Sequence, residues 1–428
     1  MSAAAESPAP APLGATRWIV CALLFAAVAL SYIDRQVLSV LKPTLQQKYG
    51  WEEQGYGDVV FWFQIAYGAG YIAFGRIVDR IGARFGYALA VTLWTIGHIG
   101  HALVTTTRGF ALMRIPLALG ESGAFPASLA AVAEWFPTRE RTLAIGLFNA
   151  GSNIGAILAP LIVPFVTLAF GWRMAFVLTG LLTVVWLAVW LWFYRSPRDH
   201  RGVSATELAY IESDRAPETH ATIPWRQLFA RRQTWAYMAG RFLIDPIWWT
   251  FLFWLPDFFG KQYHLDLKNY GPPLVAIYVL ADLGSIAGGW GSSTLLGRGF
   301  DLNVSRKVAM LVCALAVVPV AFAVQAANIW IAVALIGVAC AGHQGFSANL
   351  YALPSDLFPR WAASSVVGLG GASGALGGAL MAKYSGWVLQ TLGSYTPIFV
   401  VASCAYLVAL AAVHLLVPRY APAAAAES

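Results

Sequence analysis

Charge is what this 428-residue chain has least of: Asp, Glu, Lys and Arg together make up 11% of it, against about 25% in a soluble domain. Hydrophobic side chains reach 58%, where about 45–50% is ordinary. So few charges cannot cover a surface that faces water. A soluble globular protein, a disordered chain, a coiled coil and a nucleic-acid binder are excluded together. The net charge of +7 is read instead as basic loops retained on the cytoplasmic side of a membrane. Cysteine is also scarce. Cys21, Cys313, Cys340 and Cys404 lie in apolar stretches with no close pair, so neither a disulfide framework nor a Cys-x-x-Cys metal site is expected, and all four read as small buried hydrophobes. The seven histidines form no ligand set; at most His98 and His101 share a helix face. No metal, and no cofactor beyond protons as a coupling ion, is expected. An enzyme would need a clustered nucleophile and base, and a receptor a large soluble appendage. The sequence offers neither.

What is present is apolar and continuous. Twelve runs lie near residues 18–41, 56–77, 85–104, 110–133, 142–168 and 174–194, then 235–255, 270–296, 308–324, 329–350, 362–385 and 395–416. A closed β-barrel would alternate over ten-residue strands, so these runs are expected to be helices, each long enough to cross a bilayer. The first run is too long for a signal-peptide core and should be retained. The expected organisation is a disordered Ala/Pro-rich tail over 1–16, a six-helix bundle over 17–194, a cytoplasmic linker over 195–234, a second six-helix bundle over 235–418 and a tail over 419–428. With both termini in the cytoplasm, Lys and Arg divide 18 inside to 7 outside, and Arg35, Arg114 and Arg241 stay within apolar runs. That bias supports the orientation.

The two parts also repeat. At an offset of 222 residues, Glu134-Trp135-Phe136-Pro137 aligns with Asp356-Leu357-Phe358-Pro359, Gly146-Leu147 with Gly368-Leu369, and Gly155 with Gly377. A six-helix internal repeat is the architecture of a rocking-bundle carrier that holds its substrate between the halves.

A charge at the centre of a membrane helix costs about 2.5–3.5 kcal/mol on insertion scales, so each one needs a reason. The first run ends in Tyr32-Ile33-Asp34-Arg35, and the fourth carries Arg114 and Glu121. Seven residues are about two turns, which places Arg114 and Glu121 on one face about 10.5 Å apart. Two acids and two arginines would thus face a shared interior. They either pin the bundle as ion pairs or serve a pathway; the second is favoured, because buried pairs are a poor source of stability. An anion that occupied an arginine would release its acid to take up a proton, which is a physical route to coupling. Weaker signals are Gln64 and Tyr67, one helical turn apart, the group Asn149, Ser152 and Asn153, then His343, Gln344, Asn349 and Ser373. Amides and hydroxyls of this kind recognise sugar hydroxyls or simply join helices. Pro246 should kink the seventh span. Trp248 and Trp249 wall a pocket or form an interfacial belt, and Asp282 has Arg241 or Asp245 within its choice of partners.

Gly75-Arg-Ile-Val-Asp79-Arg80-Ile-Gly82-Ala-Arg84 resembles the cytoplasmic gate motif of the major facilitator superfamily. There a tight glycine turn carries an acid and arginines able to lock helix ends. Tyr32-Ile-Asp34-Arg35, Arg114-x6-Glu121-x3-Phe125-Pro126 and Glu134-Trp-Phe-Pro-x-Arg-Glu-Arg141 look like the anion:cation symporter family. Asp245-Pro-Ile-Trp-Trp249 and Ser347-Ala-Asn-Leu-Tyr351 resemble its hexuronate transporter branch. The resemblance implies an all-α integral membrane protein of twelve transmembrane helices in a bacterial-type inner membrane, importing glucuronate or galacturonate with protons, with this small anionic sugar acid and the lipid bilayer as partners and the monomer as the working unit. It implies proton coupling at Asp34 and Glu121. By the resemblance substrate binding falls to Arg35, Arg114 and Tyr67, and Ser152 stands where sugar-acid relatives can carry glutamine; the polar and aromatic residues of the spans add Gln64, Trp249, Asn349 and Ser373. Gly75, Asp79, Arg80 and Arg84 form the gate. The rival is an organic-anion facilitator or exchanger of the same fold, for an aldonate, a phthalate-like acid or another monocarboxylate, without net proton movement.

Overall fold

A computed structural model describes residues 14–213, 225–358 and 360–420. Most of the two expected tails, and residues 214–224 of the expected linker, lie outside the described residues. Every regular element among them is helical, as continuous apolar sequence demands in lipid, where each backbone N–H and C=O must be satisfied within its own segment.

Helix α1 (Thr16–Tyr49) overruns its apolar run and ends only at Gly50, whose left-handed φ of 65° turns its N–H back onto the Gln46 carbonyl. Helix α2 (Glu53–Gly100) holds two helical segments, as the two expected spans require, and they meet not in a loop but at one non-helical residue, Gly82, with φ 78° and ψ 167°. A side chain would be strained in that conformation, so a glycine alone makes the corner between two antiparallel segments. Then follow α3 (Thr107–Trp135), α4 (Thr138–Phe170) and α5 (Trp172–Phe193).

The connection to the second part is not a bare loop. It holds α6 (Ala205–Glu212) and α7 (Trp225–Phe229). Ser204 caps α6 by accepting from the Glu207 amide at 3.1 Å, in a Ser-x-x-Glu pattern. Glu207 then accepts from the Arg17 backbone N–H and guanidinium at 3.2 and 3.3 Å. Arg17 also meets Glu140 at 3.0 Å, and the Tyr210 hydroxyl donates to Glu140 at 2.7 Å. The linker is therefore clamped onto the starts of α1 and α4. His200 lies edge-on to Trp135 and Phe193, and its partial burial there lowers its pKa.

Beyond the connection come α8 (Arg232–Tyr263), α9 (Gly271–Gly297), α10 (Leu302–Val317), which continues as a 3₁₀ segment over Val318–Gln325, α11 (Ile329–Leu357), α12 (Arg360–Leu392) and α13 (Thr396–Leu416). Pro246 was expected to kink α8, yet the helix runs unbroken through it and through Pro256. The Thr250 hydroxyl donates to the Pro246 carbonyl at 2.8 Å.

In the first part α2 packs on α3 and α5, and α1 on α4; in the second α8 packs on α12 and α13, and α11 on α9 and α10. The α2–α3 seam is a close one. A Cβ on Gly120 would stand 2.4 Å from the Ala90 carbonyl oxygen and from the Trp94 nitrogen, so only glycine admits this backbone approach, and it seats the neighbouring Glu121. The two parts meet through α2 with α12, α1 with α8, and α4 with α9. Large apolar side chains such as Trp192, Phe165, Ile286 and Leu415 stand exposed around the outside, which suits lipid rather than water. Among the described residues nine helices are long and apolar enough to cross a membrane.

Candidate binding and coupling site

At the meeting of α1, α2, α3 and α8 the Arg35 guanidinium donates to Glu121 Oε2 from Nε at 2.8 Å and from Nη2 at 2.7 Å. Both residues are almost wholly withdrawn from solvent, at 1% and 2% exposure. Four aromatic rings surround the cation: Tyr32 at 4.7 Å, Trp249 at 4.8 Å, Tyr67 at 5.0 Å and Phe63 at 5.4 Å. Three come from the first part and Trp249 from the second, so the cage straddles the seam between them. Such rings attract a guanidinium through their negative faces while excluding water. Arg114 reaches the same place. Its Nη2 donates to the Arg35 backbone carbonyl at 3.2 Å, and its guanidinium lies over Phe63 and Phe253.

The hydrogen bonding here is incomplete. Among the described residues Arg35 Nη1, Arg114 Nε and Nη1, Glu121 Oε1 and both amide atoms of Gln64 have no partner. Gln64 is fully buried, and a Cβ added at Gly378 would stand 2.9 Å from its Nε2 and 3.2 Å from the Trp249 ring. Buried polar groups are ordinarily paired, so donors and acceptors left over around one cation fit a site for a polar anion.

Asp34 is not part of that cage. Adjacent residues on a helix point about 100° apart, and Asp34 turns to α5 and to the second segment of α2. Thr183 donates to its Oδ2 at 3.2 Å, and His98 Nε2 lies 3.2 Å from its Oδ1. The expectation that both acids and both arginines share one interior is corrected: Glu121 pairs with Arg35, whereas Asp34 faces a histidine and two threonines. His98 is the residue sequence reasoning missed. His98 and His101 were weighed only as a pair, yet His101 turns its Nδ1 to the Gly97 carbonyl at 2.7 Å.

The other expected residues divide. Tyr67 and Trp249 flank Arg35, and the buried Gln64 lies one turn from Tyr67 on α2. Three others have polar atoms engaged elsewhere. The Asn349 amide donates to the Gly288 and Gly345 carbonyls at 3.1 and 2.9 Å, and its oxygen accepts from Arg306, so it joins α9 to α11. Ser373 donates to the Met238 carbonyl at 3.0 Å and Ser152 to the Asn149 carbonyl at 2.7 Å. Short hydroxyls on helices commonly bond back to nearby backbone. Trp248 does not sit in an outer belt; it stacks on His343 at 5.1 Å. Arg241 pairs with Asp245 one turn along α8 at 2.6 Å, with the Tyr351 hydroxyl on the other carboxylate oxygen at 3.1 Å. Asp282 joins neither.

The two ends of the bundle differ. Beside the C-terminus of α1, Lys42 contacts Glu53 and Asp257 at 2.7 Å each. Lys261 contacts the same two acids, Tyr395 donates to Asp257, and Lys383 pairs with Asp58. Six charges and a tyrosine from both parts tie this end shut. At the opposite end Gly75, Asp79, Arg80 and Arg84 lie within or beside the α2 corner. Asp79 and Arg80 are exposed and form no ion pair among the described residues, while Arg84 donates to the Leu191 carbonyl at 2.5 Å. The lock expected of Asp79 is not engaged.

Residues 24–382 match the Major Facilitator Superfamily. The chain belongs to that superfamily. It is 33% identical over 391 residues to the hexuronate transporter of Escherichia coli K12, covering 90% of each chain. It is 35% identical over 305 residues to the galacturonate transporter of Dickeya chrysanthemi, covering 70% of this chain and 88% of that one. The fold matches a bacterial homolog of the human lysosomal transporter Spinster, with a TM-score of 0.74 at 17% identity over 96% of this chain and 100% of that one. This major facilitator is thus a multi-pass inner-membrane protein, related to transporters rather than to enzymes.

Proposed function

We propose that this major facilitator imports a hexuronate, glucuronate or galacturonate, together with protons by alternating access. The observation that carries the reading is Arg35, held by Glu121 inside an aromatic cage built from both parts of the fold. A guanidinium suits a carboxylate in geometry and charge. Gln64 and Tyr67 supply the amide and hydroxyl that sugar hydroxyls require.

Coupling follows from charge balance. Arg35, Arg114, Asp34 and Glu121 sum to zero when all are ionised. A bound carboxylate adds one negative charge to a site screened from water, where an uncompensated charge costs several kcal/mol. A proton on one acid restores neutrality. Glu121 shares Arg35 with the substrate, so the incoming carboxylate weakens its hold on the guanidinium and helps it accept that proton.

The topology we propose has twelve crossings in two six-helix bundles with both termini cytoplasmic. It counts the nine long apolar helices, the two segments of α2, and α8 with its Arg241–Asp245 pair. In that frame the Lys42, Glu53, Asp257 and Lys261 cluster closes the periplasmic side and the Asp79 corner is released, which is the inward-facing arrangement. Uptake of labelled galacturonate and glucuronate into proteoliposomes, with and without an inward proton gradient, tests the function. Accumulation that requires the gradient supports it. No uptake of either acid by folded protein overturns the hexuronate assignment, and gradient-independent equilibration would favour a facilitator.

A further inference from the structure

We infer that Asp34, His98, Thr179 and Thr183 form a proton-holding pocket insulated from the substrate, in which the Thr183 hydroxyl reverses its hydrogen bond as Asp34 gains or loses its proton. The inference rests on the proton-coupled reading above.

The proton positions follow from the network. Thr179 Oγ1 lies 2.8 Å from the Ala175 carbonyl, and we assign its one hydrogen to that acceptor. In that assignment its 2.7 Å contact with His98 Nε2 is N–H donating to oxygen, and His98 is the Nε2–H tautomer. That same N–H lies 3.2 Å from Asp34 Oδ1 and presents a fixed positive dipole to it. Thr183 Oγ1 is poised between two acceptors, Asp34 Oδ2 at 3.2 Å and the Thr179 carbonyl at 3.3 Å. With Asp34 ionised, Thr183 donates to Oδ2. With the proton on Oδ2, the acid donates to Thr183 Oγ1 and the hydroxyl hydrogen swings to the Thr179 carbonyl. Each protonation state keeps its hydrogen bonds, and no heavy atom has to move.

The surroundings limit what else can titrate here. His98 and, behind it, His101 face the pocket from α2. Glu121 and Arg114 lie within electrostatic reach from α3, and on α1 itself Arg35 points away into the aromatic cage. Helix α5 offers hydroxyls, with the Phe176 ring against both histidines. Among the described residues no charged group of α4 or α8 contacts Asp34. The pocket is sealed, since Asp34, His98, Thr179 and Thr183 are all buried. It therefore reads the proton without touching the sugar acid, whereas Glu121 feels both.

The test is the pH profile of gradient-driven uptake in Thr183→Val, which keeps shape and loses the hydroxyl. A hydrogen bond to a carboxylate is stronger than one to a neutral acid, so its loss should move the half-maximal pH upward by about half a unit to one unit. Thr183→Ser should keep the wild-type profile, and substrate exchange without a gradient should persist in both. Thr183→Ala, with less bulk, is read in the same way if the valine variant does not insert. An unshifted profile in folded Thr183→Val or Thr183→Ala, beside a wild type that needs the gradient, overturns this inference alone. So does a serine variant that shifts as far as the valine. A wild type whose uptake ignores the gradient overturns the transport reading and this inference with it.

Discussion

Arg35 on α1 and Glu121 on α3 share one carboxylate oxygen, Oε2, through two guanidinium nitrogens at 2.8 and 2.7 Å. Among the described residues the second carboxylate oxygen and Arg35 Nη1 are left without partners. This is a pair held short of its full bidentate geometry. It has donors to spare for a second carboxylate.

Glu121→Gln should separate coupling from binding. The amide keeps the shape and can still face Arg35, but it cannot carry a proton on and off. Uphill accumulation under a proton gradient should fall to the background, while exchange of external for internal substrate persists at a rate insensitive to pH. Both rates are read from the same proteoliposomes. Retained uphill uptake would move the coupling role to Asp34 alone.

Arg35→Lys keeps the charge and loses the planar fork. A lysine cannot engage Glu121 and a substrate carboxylate from two edges at once, nor spread its charge over the four rings as a guanidinium does. Half-saturation should rise about tenfold or more, roughly 1.4 kcal/mol of binding. Equal affinity in the lysine variant would show that a point charge suffices.

The pattern of what the sequence disclosed is physical. Apolar runs gave the helices because length and hydropathy decide insertion locally. Arg35, Arg114 and Glu121 stood out because a charge in lipid needs a reason at any depth. Asp34 stood out equally, but its partner did not. His98 is 64 residues away along the chain and meets Asp34 only because Gly82 folds α2 back on itself. Asn349 was misjudged for a related cause. An amide in an apolar run reads alike whether it faces a substrate or two backbone carbonyls, and the close α9–α11 approach that captures it is a tertiary outcome. The corner in α2 was legible because the Gly75–Arg84 motif reads as a glycine turn; that the one positive-φ residue Gly82 makes it, with no loop, was not.

Lys42→Met should loosen the closed end. It removes two 2.7 Å ion pairs and leaves Glu53 and Asp257 sharing Lys261. Stranding buried acids costs about 3–5 kcal/mol when a pair is broken; two acids that keep one lysine should lose less. A thiol introduced as Tyr56→Cys, at a fully buried position beside this gate, reports the opening. Its labelling by a membrane-impermeant maleimide from the periplasmic side should accelerate by about tenfold or more in Lys42→Met. An unchanged rate would mean that the ion cluster is not what holds that side shut.

Gly120→Val tests the seam that positions Glu121. The new Cβ would meet the Ala90 carbonyl oxygen and the Trp94 nitrogen at 2.4 Å, and both are backbone atoms of a helix that cannot rotate aside. Overpacking of this kind costs about 1–3 kcal/mol. The variant should unfold at a lower temperature in detergent and lose substrate affinity along with stability. Normal stability with normal affinity would mean that α2 and α3 can separate without disturbing the site.

The carboxylate itself can be subtracted from the substrate instead of the protein. Galactose differs from galacturonate in carrying a CH₂OH group where the acid has its carboxylate. A hydrogen bond to a charged group is worth about 1.5–3 kcal/mol, which is about 10- to 150-fold in affinity. Galactose should therefore compete with labelled galacturonate more weakly by that factor, and its competition should not depend on pH, because a neutral ligand needs no proton to balance it. An aldonate keeps the carboxylate and most hydroxyls, so it should compete within the range of the uronates and show their pH dependence. If galactose competed as well as the acid, neither Arg35 nor Arg114 would be reading the substrate. The aromatic cage would then be a sugar-stacking surface, and the two arginines would serve only to balance the buried acids.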